Sequence, residues 1–138
     1  MPTIHTIYNG GLRTEATHLQ SGNTLMTDAP KDNQGRGENF SPSDLLAASL
    51  GSCMLSIMGI AARTHGFEER LHGTEIDITK IMAAEPRRVA EVIVEFHFPT
   101  GDFNEKERKI LEHAAHTCPV AKSLSADLKQ TVIFNFPA

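Results

Sequence analysis

The 138-residue chain has no tryptophan, one tyrosine and only two cysteines. Two cysteines, Cys53 and Cys118, cannot supply the disulfide framework of a small secreted domain, and four-ligand zinc clusters are missing as well. Positive charge is in short supply: 13 Lys and Arg against 17 Asp and Glu leave a net charge of -4. That balance excludes the basic stripe expected of a nucleic-acid or anionic-membrane surface. The first residues, "MPTIHTIYNGG", lack a basic region followed by an apolar run, so no secretory leader is expected and the expected compartment is the reducing cytoplasm. Repeats, low-complexity tracts and composition shifts are absent too. One domain over residues 1–138 is therefore expected.

What is present reads as α+β. "TIHTIY" and "LRTEATHLQ" flank Asn9, Gly10 and Gly11, a hairpin signal, and "SGN" turns the chain into "TLMTD". Residues 29–40, "APKDNQGRGENF", read as a loop, long enough for a functional role. Ser41, Pro42 and Asp44 form a helix start with a capping box, and the helix is expected to run to Arg63 or His65, where Gly66 stops it. Beyond Gly73, "TEIDITKIM" and "RRVAEVIVEFHF" alternate around Glu85 and Pro86 as an antiparallel pair, with Val92, Val94, Phe96 and Phe98 on one face. Asn104 and Glu107 start a second helix with Ile110, Leu111, Ala114 and Ala115 on its apolar side. Pro119 interrupts it, a short helix resumes, and "QTVIFNF" is a last strand.

The helix from residue 42 carries no charge between Asp44 and Arg63. A run of that length meets the lower limit for a membrane span. Three serines and two glycines dilute it, and no juxtamembrane basic cluster supports insertion, so burial on most of its sides is the expectation. The small residues Ala47, Ala48, Gly51 and Ser52 suggest close approach of another backbone.

Cys53 lies in the middle of this run. From local sequence it reads as a small buried hydrophobe, with a raised pKa and little reactivity. Cys118, just before Pro119, occupies an N-cap-like position where unpaired N–H groups and the helix dipole favour a thiolate. Local chemistry alone therefore makes Cys118 the more reactive thiol. His113, His116 and Cys118 also suggest a metal-ligand set, a reading weighed against surface histidines and a buried cysteine.

The segments "NFSPSDLLAASLGSCMLSIMGIAAR" and "HTCPVAKSL" together resemble the OsmC/Ohr family of thiol-dependent hydroperoxide reductases, closest to its OsmC-like branch. The resemblance covers most of the chain. It implies an OsmC-like fold: antiparallel sheets packed on a long buried central helix, in an intertwined homodimer with active sites at the subunit interface. It implies that Cys53 attacks an organic hydroperoxide and that Cys118 resolves the sulfenic acid as a disulfide, reversing the local ranking. It implies an arginine from an N-terminal strand or turn, for which Arg13 is the candidate and Arg36 the second. The family's carboxylate lies ten residues before the cysteine; here that position is Ser43, and Asp44 follows it, with Glu38 a further candidate. Asp44 and Cys53 are separated by about 900° of helical rotation and so face opposite ways. A dithiol reductant, of lipoyl type by family analogy, is implied; a metal or other cofactor is not. The alternative reading is a non-enzymatic redox sensor or binding module on the same fold.

Overall fold

Two glycines set the first reversal of the chain. In the computed structural model, which describes residues 1–138, Gly10 and Gly11 adopt φ values of 82° and 63°. Left-handed backbone of this kind carries no Cβ penalty at glycine. It joins β1 (Ile4–Gly10) to β2 (Arg13–His18), and β3 (Thr24–Asp28) pairs with β2, giving an antiparallel sheet of order β1-β2-β3. The register sets Arg13 opposite Asp28. This sheet leaves much apolar surface open: Ile4 is 56%, Ile7 51% and Tyr8 64% exposed.

The loop expected at residues 29–40 is present, with one short 3-10 turn at Lys31–Asn33. It folds back on the hairpin through Ala29 N–H to the Leu12 carbonyl and Gly37 N–H to the Ala29 carbonyl. Gly35 is required there, because a Cβ would fall 1.7 Å from the Ala29 oxygen.

Helix α1 (Pro42–Thr64) begins with the expected capping box. The Asp44 amide donates to the Ser41 hydroxyl at 3.0 Å, and the Ser41 amide donates to the Asp44 carboxylate at 2.9 Å. Reciprocal bonds of this kind satisfy two amides that a helix start leaves without partners. The helix ends just before Gly66, whose φ is 80°.

Contacts divide the chain into two compact units, Met1–Leu46 and Ala47–Ala138. The second holds a sheet of order β4-β5-β6, formed by β4 (Glu75–Ala84), β5 (Arg87–His97) and β6 (Lys129–Asn135), together with α2 (Glu105–His116) and α3 (Pro119–Ser123). β4 and β5 are antiparallel, as expected, but β6 runs parallel to β5. The wholly antiparallel expectation fails for a topological reason. The chain crosses over through α2 and α3 before returning, and a crossover of that length is what a parallel pair needs.

The core of this unit is the inner face of β5 against α1 and α2. Val92, Val94 and Phe96 are fully buried with Leu50, Met54, Met58 and Leu111. Each such side chain contributes about 1.5–3 kcal/mol relative to its exposed state. Phe96 stacks on Phe134 at 5.5 Å and Phe98 on Phe136 at 4.4 Å between ring centroids. Within this unit α1 buries one face only: Leu50, Met54, Met58 and Ala62 recur at helical spacing, while Ser49, Ser52 and Ser56 are exposed and Ile60 is 60% exposed. The expectation of burial on most sides is thus met on one side. By length and composition alone α1 could cross a membrane, with a mean hydropathy of 1.9 over its most apolar window. At Gly51 the close neighbours are side chains of β4 in the same unit rather than a second backbone, since a Cβ there would meet the Ile78 side chain at 2.5 Å and Ile76 at 3.1 Å.

Candidate redox site

The second unit carries both cysteines, which are neighbours but do not stand at disulfide distance. Cys53 is carried by α1 directly before Met54, which is anchored in the core, and is itself half-buried. Cys118 lies in the break that Pro119 forces between α2 and α3 and is fully buried. Its backbone is extended, at φ -65° and ψ 150°, because the following proline disfavours helical geometry. It caps α3 with its sulfur, to which the Ala121 amide donates at 3.3 Å. Both thiols are free.

The Cys118 thiol is pushed up from its ordinary value. Burial is the main cause, the Ala121 amide pulls the other way, and the neighbouring Cys53 thiol adds to the rise. Burial of the sulfur and this rise run against the expectation from local sequence that the helix terminus favours a Cys118 thiolate. The N-cap interaction exists, but desolvation of the sulfur outweighs one amide.

An apolar groove of about 840 Å³ runs between α1 and α2. Ile57, Ala61, Ile110 and Ala114 line it, with Lys106 and Lys109 among its charged residues. Ile57, one helical turn after Cys53, and Thr117, next to Cys118, also line it. A space of this size with an apolar floor has room for an organic molecule.

His113, His116 and Cys118 do not converge as a metal-ligand set. Both histidines are exposed while the cysteine is buried, and the His116 ring packs edge-on against Phe134 at 6.2 Å. The one group of three ligating side chains whose atoms lie within 4.8 Å of one another is Asp77, Glu95 and His97.

The remaining predicted site residues, Arg13 and Asp44, belong to the first unit. Arg13 grips Asp28 with two parallel bonds, Nε to Oδ1 at 2.7 Å and Nη2 to Oδ2 at 2.9 Å, and Nη2 also donates to Glu38 at 2.7 Å. Asp28 is wholly buried and accepts further bonds from the Glu38 amide, the Asn39 amide and the Asn39 side chain. Arg13, first, and then Asn39 hold its carboxyl well below the usual carboxylate range against the opposing effect of burial. The same bonds from Asp28 and Glu38 raise the Arg13 pKa. Arg13 is therefore a fixed, permanently charged guanidinium. Asp44 makes the helix cap described above. Arg36 is exposed and lies over Gly11, where a Cβ would fall 3.0 Å from its Cζ.

Asp28 is the residue that sequence reasoning missed. The signal was present, since "LRTEATHLQ" and "TLMTD" paired as a hairpin put an acid opposite Arg13.

Residues 35–132 match the model of a family described as OsmC-like protein. The fold matches the crystal structure of a proposed osmotic stress induced and detoxification response protein from Psychrobacter arcticus 273-4 at 52% identity and a TM-score of 0.92, over 98% of this chain and 96% of that one. An organic hydroperoxide resistance protein OsmC from Legionella pneumophila shares the fold at 19% identity and a TM-score of 0.74, over 98% of both chains. A proposed organic hydroperoxide resistance protein from Vibrio cholerae, with captopril bound in one of its active sites, shares it at 17% identity and a TM-score of 0.74, over 98% of this chain and 92% of that one. No curated protein matches the chain.

Proposed function

The chain belongs to the OsmC/Ohr family, and on that premise we propose that it is a thiol-dependent peroxidase acting on organic hydroperoxides. The observation that carries this reading is the pair of free, neighbouring thiols of unequal burial beside an apolar groove. Cys53, the more accessible, attacks the terminal peroxide oxygen as a thiolate. The O–O bond breaks, the alkoxide leaves and takes a proton as alcohol, and Cys53 becomes a sulfenic acid. Cys118 then condenses with it, giving a disulfide and water. Its raised pKa suits that order, because a thiol kept protonated does not compete for the peroxide. A dithiol, of lipoyl type by family analogy, reduces the disulfide and is itself oxidised to a cyclic disulfide.

Arg13 is the proposed cation for the Cys53 thiolate, and Asp28 and Glu38 support this by fixing its guanidinium. Asp44 is proposed as the nearest replacement for the family's carboxylate. Its use as a helix cap leaves the structural role the better supported one. We propose a homodimer acting in the cytoplasm, with residues 1–138 as a single OsmC-like domain. The open apolar positions of β1 and the exposed side of α1 support a second copy.

The test is a peroxide-consumption assay with an alkyl hydroperoxide and a reduced dithiol, with mass spectrometry of the protein after one equivalent of peroxide. Turnover, with a Cys53–Cys118 disulfide as the oxidised form, is expected. Slow oxidation without turnover would instead favour the redox-sensor reading.

A further inference from the structure

The outer face of the second sheet holds a group of side chains that the proposed peroxidase chemistry does not use. Asp77 on β4 pairs directly across from Glu95 on β5, and His97 follows two residues on, so all three point to the same face. His97 Nε2 lies 3.0 Å from Asp77 Oδ2 and 4.0 Å from Glu95 Oε1. The imidazole is the shared partner of both carboxylates. Glu75 lies directly opposite His97 in the register and adds a further acid to this end of the sheet.

We propose that Asp77, Glu95 and His97 form a binding site for a divalent transition-metal ion of the zinc class. The argument is first one of ligand type. Imidazole with carboxylates suits zinc, cobalt or nickel, whereas calcium and magnesium favour all-oxygen sets. It is also one of size. Zinc holds such nitrogen and oxygen ligands at about 2.0–2.2 Å, which spaces neighbouring ligand atoms about 3–3.5 Å apart. The three ligating atoms, all within 4.8 Å of one another, need only small side-chain rotations to reach that spacing. The ligands stand on two paired strands, so their backbones are fixed in advance. Asn135 on β6, paired with His97, supplies the outer support: its side chain donates to Glu95 Oε2 at 2.9 Å and lies 3.5 Å from His97 Nδ1. Partners behind the ligands hold them in orientation and commonly matter about 10–100-fold in affinity. Asp77 is 79% exposed, so water completes the coordination and the ion enters freely.

The test uses the full chain with Cys53→Ser and Cys118→Ser, which removes competing thiol ligands. Zinc is titrated by calorimetry. One equivalent is expected to bind, to be lost in His97→Gln and in Asp77→Asn, and to bind about 10–100-fold more weakly in Asn135→Ala. A readout that needs no sheet variant is nickel-induced broadening of the histidine ring resonances, with His97 expected to broaden first. Absence of zinc binding, an equivalent that survives His97→Gln, or first broadening of another histidine would overturn the proposal.

Discussion

The Ala121 amide donates to the buried Cys118 sulfur at 3.3 Å, and yet the Cys118 thiol is raised in pKa rather than lowered. One hydrogen bond does not offset removal of a sulfur from water, and a neighbouring thiol adds to the cost of its ionisation. The two cysteines are therefore unequal. Alkylation by iodoacetamide near neutral pH is expected to modify Cys53 before Cys118, and labelling of Cys118 is expected to rise as the pH increases. Peptide mass mapping over time reads the order. Prior labelling of Cys118 would restore the ranking given by local sequence.

Arg13→Ala is expected to slow the first turnover near neutral pH, with partial recovery at higher pH as the Cys53 thiolate fraction rises. It is also expected to lower thermal stability, because the wholly buried Asp28 carboxylate would keep three N–H donors but lose its cation. Arg13→Lys retains the charge without the two-pronged geometry, and an intermediate loss on both readouts is expected. An unchanged rate profile in Arg13→Ala would transfer the proposed role to Arg36.

The Asp28 carboxyl has its pKa depressed below the ordinary 3.8 in the folded chain, first by the Arg13 hydrogen bonds. The sign follows from linkage. The contribution is complete above the unfolded value and is lost as pH falls through the lower folded one. Urea melts of the wild type and Asp28→Asn are expected to differ at neutral pH and to converge only in strong acid. Convergence already at mildly acidic pH would contradict the buried pairing.

Gly51→Ala tests the packing of α1 on β4. Alanine gains about 1 kcal/mol of helix propensity, while the new methyl, 2.5 Å from the Ile78 Cδ1, overpacks the contact at a cost of about 1–3 kcal/mol. Net destabilisation of up to about 2 kcal/mol is expected, relieved in part by Ile78→Val, with a coupling between the two of about 0.5–3 kcal/mol in a double-mutant cycle. Additive effects would show that the helix and the strand move apart freely.

The exposed apolar residues of β1 test assembly. Sedimentation at micromolar concentration is expected to give a dimer for the wild type and a shift towards monomer in Ile7→Lys and Tyr8→Lys, both more than half exposed in the single chain. A fully active wild-type monomer would overturn the proposed dimer.

Much of the fold was legible because local rules and tertiary packing agree. Ser41 with Asp44 announced a capping box and Asn104 with Glu107 a helix start, and both formed, while the alternation at Val92, Val94, Phe96 and Phe98 named a buried face. Where sequence failed, the deciding term was non-local. Nothing near "QTVIFNF" says which neighbour it will pair with, so the parallel β5–β6 ladder was hidden. Nothing near Gly51 says that Ile78 lies 27 positions on and in contact with it. At the thiols, the helix-terminus effect on Cys118 was visible in the sequence, but its burial was not. The salt bridge to Asp28 depended on strand register, which only the paired hairpins fix.

The measurement that tests the central claim most directly is a single-turnover reaction with an alkyl hydroperoxide, followed by stopped flow in wild type, Cys53→Ser and Cys118→Ser. The account predicts rapid oxidation of the wild type to the Cys53–Cys118 disulfide, no rapid phase in Cys53→Ser, and in Cys118→Ser one rapid turnover that halts at a Cys53 sulfenic or over-oxidised acid. A rapid phase that survives in Cys53→Ser and disappears in Cys118→Ser would contradict it.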